Sequence, residues 1–201
     1  MREISSRQRV YFAVKRLLDV FFATVLLLFL WLPMLLLWVA VRLDSRGGGI
    51  FRQKRVGKDG RIFTCYKFRT MYEDAPSERA SSEFFDVERY VTPVGAFLRR
   101  SSLYELPQLF NVLKGDMSLV GPRPLIISEK TVHEGRMKNG VYYLRPGITG
   151  LSQIMGRDEL GDQKKIELDT EYLSGFGLRQ DIRILLSTVT KVIKGEGVRI
   201  K

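Results

Sequence analysis

The sequence predicts a mostly helical α+β protein, in which a re-entrant, proline-broken membrane helix precedes a small domain with a β-hairpin and interfacial amphipathic helices. Three observations predict this fold class. Residues 20–41 are uncharged and almost entirely apolar, residues 62–70 alternate in the manner of a strand, and several later segments carry apolar residues at helical spacing. We expect residues 1–46 to form a basic lead-in and the membrane helix, and residues 47–201 to form a domain at the membrane interface.

The apolar run from Val20 to Val41 is long enough for a helix to cross the hydrocarbon core of a bilayer. Pro33 lies just past its middle and removes one helical hydrogen bond, so we expect a break there. Basic residues flank the run on both sides, and they favour the cytoplasmic side of a membrane. A helix that enters and leaves by the same face is therefore favoured. A single-pass anchor and a buried helix of a soluble protein are the alternatives.

Charge and cysteine content narrow the function classes. The net charge is +11, and residues 1–55 hold ten basic and three acidic residues, which suits an anionic leaflet and phosphate-bearing substrates. Nucleic acid is not expected as a partner, because the chain has an apolar run and lacks an aromatic–basic repeat or a zinc-ligand spacing. The lone Cys65 excludes an internal disulfide and a cysteine metal cluster.

The elements on either side of the apolar run follow from local signals. Residues 1–19 are basic with an apolar side, which predicts an interfacial helix leading into the membrane. Lys58-Asp59-Gly60 is a turn signal, and the alternation that follows predicts the second strand of a hairpin. That strand places Lys67 and Arg69 on one face, which is either a solvated basic face or a phosphate contact. Thr92-Pro93 marks the start of a further helix.

Residues 101–115 have apolar side chains at helical spacing, and Gly115 is a natural stop. Ser102 and Glu105 match a capping box, which would give Glu105 a structural role. Further helices are expected at residues 125–139 and 163–173, with His133 and Glu129 as an exposed pair. The last helix carries an apolar stripe that either packs on the core or lies on the membrane surface. The stripe comprises Ile182, Leu185, Leu186, Val189, Val192 and Ile193.

Three arginines stand in rigid Gly/Pro surroundings within 35 residues: Arg123 between two prolines, Arg145 before Pro146-Gly147, and Arg157 after Gly156. A guanidinium held in this way suits bidentate binding of phosphate. The alternative is a set of rigid turns with solvent-facing arginines. The repetition favours a site for several phosphates.

Together these segments resemble the small monotopic phosphoglycosyl transferases, the bacterial sugar transferases that begin glycoconjugate assembly. The resemblance covers nearly the whole chain. Its motifs are Lys15 to Asp19 (KRLLD), Tyr66 to Met71 (YKFRTM), Glu105 to Ser118 (ELPQLFNVLKGDMS), Gly121 to Pro124 (GPRP) and Arg145 to Gly150 (RPGITG), with Asp169, Tyr172 and Asp181 further along.

The resemblance implies transfer of sugar-1-phosphate from a UDP-sugar to polyprenyl phosphate, usually undecaprenyl phosphate, with UMP as the second product and Mg2+ as the cofactor. It also implies a re-entrant helix and a location on the cytoplasmic face of the bacterial inner membrane. Downstream glycosyltransferases and a second copy of the chain are further candidate partners. We take Glu105 and Tyr104 as catalytic candidates, with the metal ligands unassigned. The substrate-binding candidates are Arg123, Arg99, Arg145, Arg157, Lys67 and Arg69.

The chain departs from the family pattern at Tyr104, where the family has an Asp that acts as nucleophile and magnesium ligand. A carboxylate with a reference pKa near 3.9 is ionised at neutral pH, whereas a phenol near 10 is not. Three hypotheses follow: Tyr104 forms a phosphotyrosyl intermediate; Glu105, Asp158 or the lipid phosphate itself attacks; or this copy is impaired and acts as a non-catalytic protein that binds lipid phosphate or a partner.

Overall fold

A single long helix and a small α+β domain packed along it make up the fold. The computed structural model describes residues 6–76, 87–156 and 160–194. The helices are α1 (Ser6–Asp44), α2 (Val87–Tyr90), α3 (Pro93–Arg100), α4 (Gln108–Lys114), α5 (Lys130–Lys138), α6 (Leu151–Met155), α7 (Asp162–Ser174) and α8 (Leu178–Lys194). The strands are β1 (Ile50–Val56), β2 (Ile62–Phe68), β3 (Ser118–Val120) and β4 (Gly147–Thr149).

Helix α1 packs one face on the domain and exposes the opposite face. The contacting residues recur every three or four positions, from Phe12 through Ala23 and Met34 to Val41. On the other side, Phe29 and Trp31 are 77% and 62% exposed. The helix is long and apolar enough to cross a membrane by length and composition. The alternative of a helix enclosed within a soluble protein is therefore not supported.

The expected break at Pro33 is absent, because α1 continues through this residue as one helix. Pro33 lies on the exposed side, whereas Leu30, Met34 and Leu37 pack on the domain. A proline in a helix removes one hydrogen bond and crowds the preceding turn. We attribute the continuity to the packing of the neighbouring residues, which holds the helix on both sides of the proline.

The predicted β-hairpin is confirmed. Strands β1 and β2 pair antiparallel in a register that places Phe51 opposite Lys67 and Arg55 opposite Phe63. A 3₁₀ turn at Lys58–Gly60 connects them, and Gly60 adopts a φ of 73°, which glycine tolerates well. Arg69 lies just past the end of β2 rather than within the strand.

The predicted helix over residues 101–115 is shorter than expected. Ser102 has a left-handed backbone (φ 57°) and no side-chain capping bond, so the capping box with Glu105 is wrong. Leu103–Glu105 instead form a 3₁₀ turn, and α4 begins only after Pro107. Gly115, with a φ of 90°, ends α4 as predicted.

A short parallel pairing brings two Gly/Pro-containing turns of the sequence together. In the pair β3–β4, Ser118 lies opposite Gly147 and Val120 opposite Thr149. A Cβ on Gly121 would lie 2.4 Å from the carbonyl oxygen of Arg145, so only glycine fits this close approach. The segments around Arg123 and Arg145 therefore share one backbone junction.

The later helices match the sequence in outline. Helix α5 is shorter than the expected residues 125–139, and His133 hydrogen-bonds Tyr142 and the carbonyl of Ile126 rather than pairing with Glu129. In α8, Ile184 is buried, but four residues of the predicted stripe are exposed, so they do not pack on the core. These four are Ile182, Leu185, Leu186 and Val189.

Candidate functional site

The turn that carries Glu105 faces the end of strand β2. The Nζ of Lys67 lies 3.5 Å from Oε1 of Glu105, and each of these side chains is 15% exposed. The same ammonium lies 5.2 Å from the centre of the Tyr104 ring, over its face. One lysine thus contacts both catalytic candidates, as a salt-bridge partner of the carboxylate and as a cation–π partner of the phenol ring.

Arg55 and Arg123 add positive charge near Lys67. Nη1 of Arg55 donates to the carbonyl oxygen of Pro124 at 2.9 Å, which ties strand β1 to the Pro-Arg-Pro turn. The Nε of Arg55 is buried and has no hydrogen-bond partner in the described part of the chain. The charges of Arg55, Arg123 and Glu105 all act on Lys67, so these four side chains form one electrostatic group. We call them the Glu105 cluster.

Burial shifts the pKa values of side chains in and next to the cluster. It lowers the pKa of the Lys67 ammonium; Glu105 opposes this change, and Arg55 and Arg123 add to it. Burial likewise lowers the pKa of the Arg55 guanidinium. It raises the pKa of the neighbouring Cys65 thiol. A cluster with three cations and one described carboxylate has an excess of positive charge, which suits an anionic ligand.

The turn that carries Glu105 packs on the apolar helix. Leu103, Tyr104 and Leu106 pack in one hydrophobic group with residues of α1. The α1 members of this group are Leu27, Leu30, Met34, Leu37 and Val41. Whatever binds at Glu105 therefore lies close to the most apolar part of the chain.

Arg145 lies at the other end of α4. Its Nε donates to the carbonyl oxygen of Gly115 at 2.9 Å, and its charge acts on Arg16 of α1. Helix α4 has seven residues, so its ends are about 10 Å apart at 1.5 Å per residue. The side chain of Arg145 is thus held at the end of α4 that is remote from Glu105, although its backbone adjoins the turn that carries Arg123.

The remaining basic candidates have other positions. Arg69 is buried, and its guanidinium donates to the carbonyl oxygens of Val41, Ser45 and Arg46 at the end of α1. Nε of Arg99 donates to the Thr70 hydroxyl at 3.0 Å. Arg157, like Asp158, lies outside the described residues. Arg69 is therefore occupied in closing the loop after α1.

Buried polar groups whose roles the sequence did not indicate hold the cluster in place. Arg136 is 2% exposed; it donates through Nη1 to the carbonyl of Arg123 at 2.8 Å and through Nη2 to Asp169 at 2.5 Å. The amide of Asn111 joins α4 to β2 by accepting from the backbone N–H of Tyr66 and donating to the carbonyl of Thr64. Arg55 alone had a usable signal, because the hairpin register puts it on the same face as Lys67.

The donor set near Glu105 fits Mg2+ only in part. In the described ranges there is no group of three or more His, Cys, Asp or Glu side chains that could hold a metal ion. Glu105 is the carboxylate of the cluster, while Glu129 accepts from the backbone N–H of Ile126 and lies near Lys165. One carboxylate suits Mg2+ when substrate phosphates and water supply the other oxygens.

Comparison with known proteins supports one family. The family model described as bacterial sugar transferase matches residues 10–195. The exopolysaccharide production protein ExoY of Rhizobium meliloti is 38% identical over 200 residues, which cover 91% of this chain and 87% of that protein.

Two further relatives are named for their reactions. The undecaprenyl-phosphate galactose phosphotransferase of Salmonella typhimurium is 38% identical over 92% of this chain and 41% of its own length. The UDP-glucose:undecaprenyl-phosphate glucose-1-phosphate transferase of Xanthomonas campestris is 38% identical over 93% of this chain and 40% of its own. The chain thus spans about two fifths of the length of these two relatives and of several others.

Proposed function

The chain belongs to the bacterial sugar transferase family, and we propose that it transfers sugar-1-phosphate from a UDP-sugar to polyprenyl phosphate, with release of UMP. Undecaprenyl phosphate is the proposed acceptor, since two relatives carry it in their names. The product would be a polyprenyl-diphosphate sugar, the first lipid-linked intermediate in the assembly of a polysaccharide or glycan.

The observation that carries the proposal is the position of the Glu105 cluster. Lys67 pairs with the carboxylate of Glu105, the charges of Arg55 and Arg123 act on this lysine, and the turn that bears Glu105 packs on apolar helix α1. A diphosphate needs cations, whereas a polyprenyl chain needs an apolar surface next to them. This arrangement supports a reaction in which a nucleotide-sugar from water meets a phosphate carried by a lipid.

The cations would act mainly by neutralising negative charge on the phosphates. We propose that Lys67 and Arg123 bind the phosphate oxygens of the UDP-sugar, with Arg55 and Arg136 holding the turn around Arg123. Donors fixed in a partly buried site stabilise charge that develops in the transition state more strongly than water does. Arg99, next to Thr70, is proposed as a further phosphate contact.

The transfer step balances without a redox partner. An oxygen of the attacking group forms a bond to the phosphorus that carries the sugar. The bond from this phosphorus to the bridging oxygen of UDP breaks, and UMP leaves with the electron pair. If the lipid phosphate attacks directly, the product forms in one step. If a side chain attacks first, the lipid phosphate displaces it in a second step.

Tyr104 decides between these routes. Lys67 lies over the face of its ring, which places a cation next to the phenol, and Glu105 is the adjacent carboxylate. Phenol attack requires loss of the hydroxyl proton, and neighbours along a 3₁₀ turn diverge by about 120°, so Glu105 is poorly placed to accept that proton. We therefore propose direct attack by the lipid phosphate, or attack by Glu105, ahead of a phosphotyrosyl intermediate.

The test compares the natural chain with Tyr104→Asp by measuring UMP release across several UDP-sugars, with undecaprenyl phosphate supplied in detergent. Similar release by both forms would show that an Asp is dispensable at this position. A large gain in Tyr104→Asp would mark the natural chain as an impaired enzyme. If neither form released UMP with any donor, the transferase proposal would be wrong.

A second candidate function rests on the same residue. If Tyr104 prevents turnover, the chain would act as a non-catalytic protein that binds lipid phosphate or a partner enzyme. The packing of the Tyr104 ring with residues of α1 favours this alternative, because part of the phenol is committed to the hydrophobic group. Binding of undecaprenyl phosphate without UMP release in the natural chain would support it.

We propose that α1 enters the membrane and returns on the cytoplasmic face of the bacterial inner membrane. Because α1 is one uninterrupted helix, this topology requires it to bend at Pro33 while it stays helical. Its start and its end both contact the domain, through Phe12 with Phe176 and through Val41 in the group around Phe68. A helix that crossed the bilayer would carry one of these contacts to the other side. Single cysteines at residues 5 and 45, in a Cys65→Ala background, test this: labelling from opposite sides would rule the re-entrant topology out.

Mg2+ remains a proposed cofactor. When bound with the diphosphate it would neutralise negative charge on the reacting phosphates. Glu105 is the described side chain that would hold it, and Lys67 would then pair with a phosphate oxygen instead. A second copy of the chain and downstream glycosyltransferases are proposed as partners.

A further inference from the structure

We propose that Gln108 contacts the substrate and binds the polar substituent on C2 of the transferred sugar, an inference that rests on the proposed function. Gln108 is the first residue of α4 and is 2% exposed. Its side-chain amide has no hydrogen bond to any residue in the described part of the chain. Buried polar side chains are nearly always hydrogen-bonded, so this exception indicates a partner that the described residues do not supply.

Gln108 lies on the face of α4 that packs on strand β2. Asn111, three positions later on the same face, hydrogen-bonds to the backbone of β2 on both sides of Cys65. Cys65 and Lys67 point to the same side of β2. That side faces α4, because Cys65 packs with residues of α4 and Lys67 pairs with Glu105. Gln108 therefore lies between the contact at Cys65 and the ion pair at Glu105.

The backbone from Glu105 into α4 is helical, which makes Glu105 and Gln108 neighbours. Leu106 and Pro107 join the 3₁₀ turn to α4 with φ/ψ of −52°/−37° and −61°/−16°. Side chains three positions apart on such a backbone lie next to each other. Lys67 and Glu105, each 15% exposed, thus form the solvent-facing edge beside Gln108. A ligand that engages this ion pair comes within reach of the amide.

The amide of Gln108 is also not sealed from that edge. In the described ranges, none of the fully buried side-chain atoms that lack a hydrogen bond belongs to Gln108. The polar atoms of Gln108 therefore border the small part of its surface that solvent reaches. An incoming group can bond to them without first displacing a protein partner.

The chemistry of an amide indicates which part of the substrate it binds. The cations of the Glu105 cluster supply donors for phosphate oxygens, which only accept in a nucleotide-sugar at neutral pH. An amide both donates and accepts, and so does a sugar hydroxyl or acetamido group. C2 adjoins the anomeric carbon that carries the phosphate, so its substituent is the closest such group to the reacting phosphorus. The uracil is farther away, beyond the second phosphate and the ribose.

Two matched substitutions on the same face of α4 separate a ligand contact from a structural one. Gln108→Met removes an amide without a described partner, so the thermal unfolding temperature of the full chain in detergent should stay the same or rise. Asn111→Leu removes an amide that bonds the backbone of β2, and it should lower that temperature by roughly 2–4 °C or more. Equal decreases in the two variants would give Gln108 a structural role and overturn the proposal.

Binding of nucleotide-sugars without acceptor lipid, measured by titration calorimetry in detergent, tests the contact itself. The probes are UDP-glucose, UDP-galactose and UDP-N-acetylglucosamine, and the tightest is compared with its analogue that lacks the C2 substituent. The natural chain should bind the analogue about tenfold more weakly. Gln108→Met should bind the parent about tenfold more weakly and lose nothing further with the analogue, because the shared hydrogen bond is already absent. Gln163→Met, at an exposed position of α7, is the control and should bind both as the natural chain does.

Unchanged binding of the parent by Gln108→Met would overturn the proposal. So would an equal loss of affinity for the parent and the analogue in this variant, because the amide would then contact another part of the substrate. Both results leave the proposed function intact, since the natural chain still binds the nucleotide-sugar. If the natural chain bound none of the three probes, the proposed function would fail together with this inference.

Discussion

The two ends of helix α4 both carry basic side chains, but they differ in what those side chains face. At the first end, Lys67 contacts a carboxylate and a phenol ring within a cluster drawn from both hairpin strands and two turns. At the other end, Arg16 and Arg145 contact backbone carbonyls, and part of Arg145 points to open space. A carboxylate among cations supports chemistry on a phosphate, whereas cations bound to backbone carbonyls stabilise the end of a helix.

The largest expected effect comes from removing Arg136, the buried cation that donates to the carbonyl of Arg123 near the first end of α4. In Arg136→Met, Asp169 stays buried without its ion-pair partner and keeps only the hydrogen bond from Ser152, so we expect a loss of about 3–5 kcal/mol in the free energy of unfolding. Denaturant unfolding in detergent measures it. Lys164→Met is the control, because its pair with Glu167 is about half exposed and should contribute less than about 1 kcal/mol. Equal losses in the two variants would contradict the role given to Arg136.

Removing the central cation of the Glu105 cluster should abolish most of the chemistry. We expect Lys67→Met to lower the rate of UMP release about 10²–10³-fold, in the natural chain or in Tyr104→Asp, whichever turns over faster. The control Arg179→Gln, which removes an exposed arginine from α8, should retain its rate. A change below about threefold in Lys67→Met would show that the phosphates bind elsewhere.

The pH dependence of UMP release tests the role of Lys67 in a second way. Burial lowers the pKa of Lys67, so its ammonium loses the proton at a lower pH than a free lysine does. Because the charged form binds phosphate, activity should fall as the pH rises through this lowered pKa. Lys67→Arg should move the alkaline limb to higher pH, since a guanidinium stays protonated. An identical alkaline limb in both forms would mean that another group titrates.

The smallest expected effect concerns the helix that leads into the Glu105 turn. The Thr92 hydroxyl accepts from the backbone N–H of Gly95 at 3.0 Å and caps α3. Thr92→Ala should lower the free energy of unfolding by about 1 kcal/mol. Thr131→Ala, at an exposed position of α5, should change it by less than about 0.5 kcal/mol. If Thr92→Ala were as stable as Thr131→Ala, the Thr92 cap would not stabilise the protein.

Local signals predicted the elements well. The hairpin follows from its turn at Lys58–Gly60, α3 from Thr92-Pro93, and the end of α4 from Gly115. Each depends on residues that are close in the sequence, so backbone preferences are sufficient to indicate them.

Long-range packing explains what the sequence could not predict. Continuity of α1 through Pro33 depends on contacts with the domain, and the failed cap at Ser102 depends on a left-handed turn. Arg123 and Arg145 also have different partners that are distant in the sequence: Arg136 donates to the carbonyl of Arg123, and Arg145 donates to the carbonyl of Gly115 at the end of α4. No local pattern encodes such partners.

The most direct measurement follows a label from the donor to the lipid. The β-phosphorus of a UDP-sugar is labelled with ³²P, and the chain is incubated with undecaprenyl phosphate and Mg2+ in detergent before extraction with organic solvent. We expect the label in the lipid fraction with the natural chain or with Tyr104→Asp. When the substitution Lys67→Met is introduced into the active form, we expect the label to be lost from that fraction. Label that stays in the aqueous fraction with both forms and every donor would contradict the central claim.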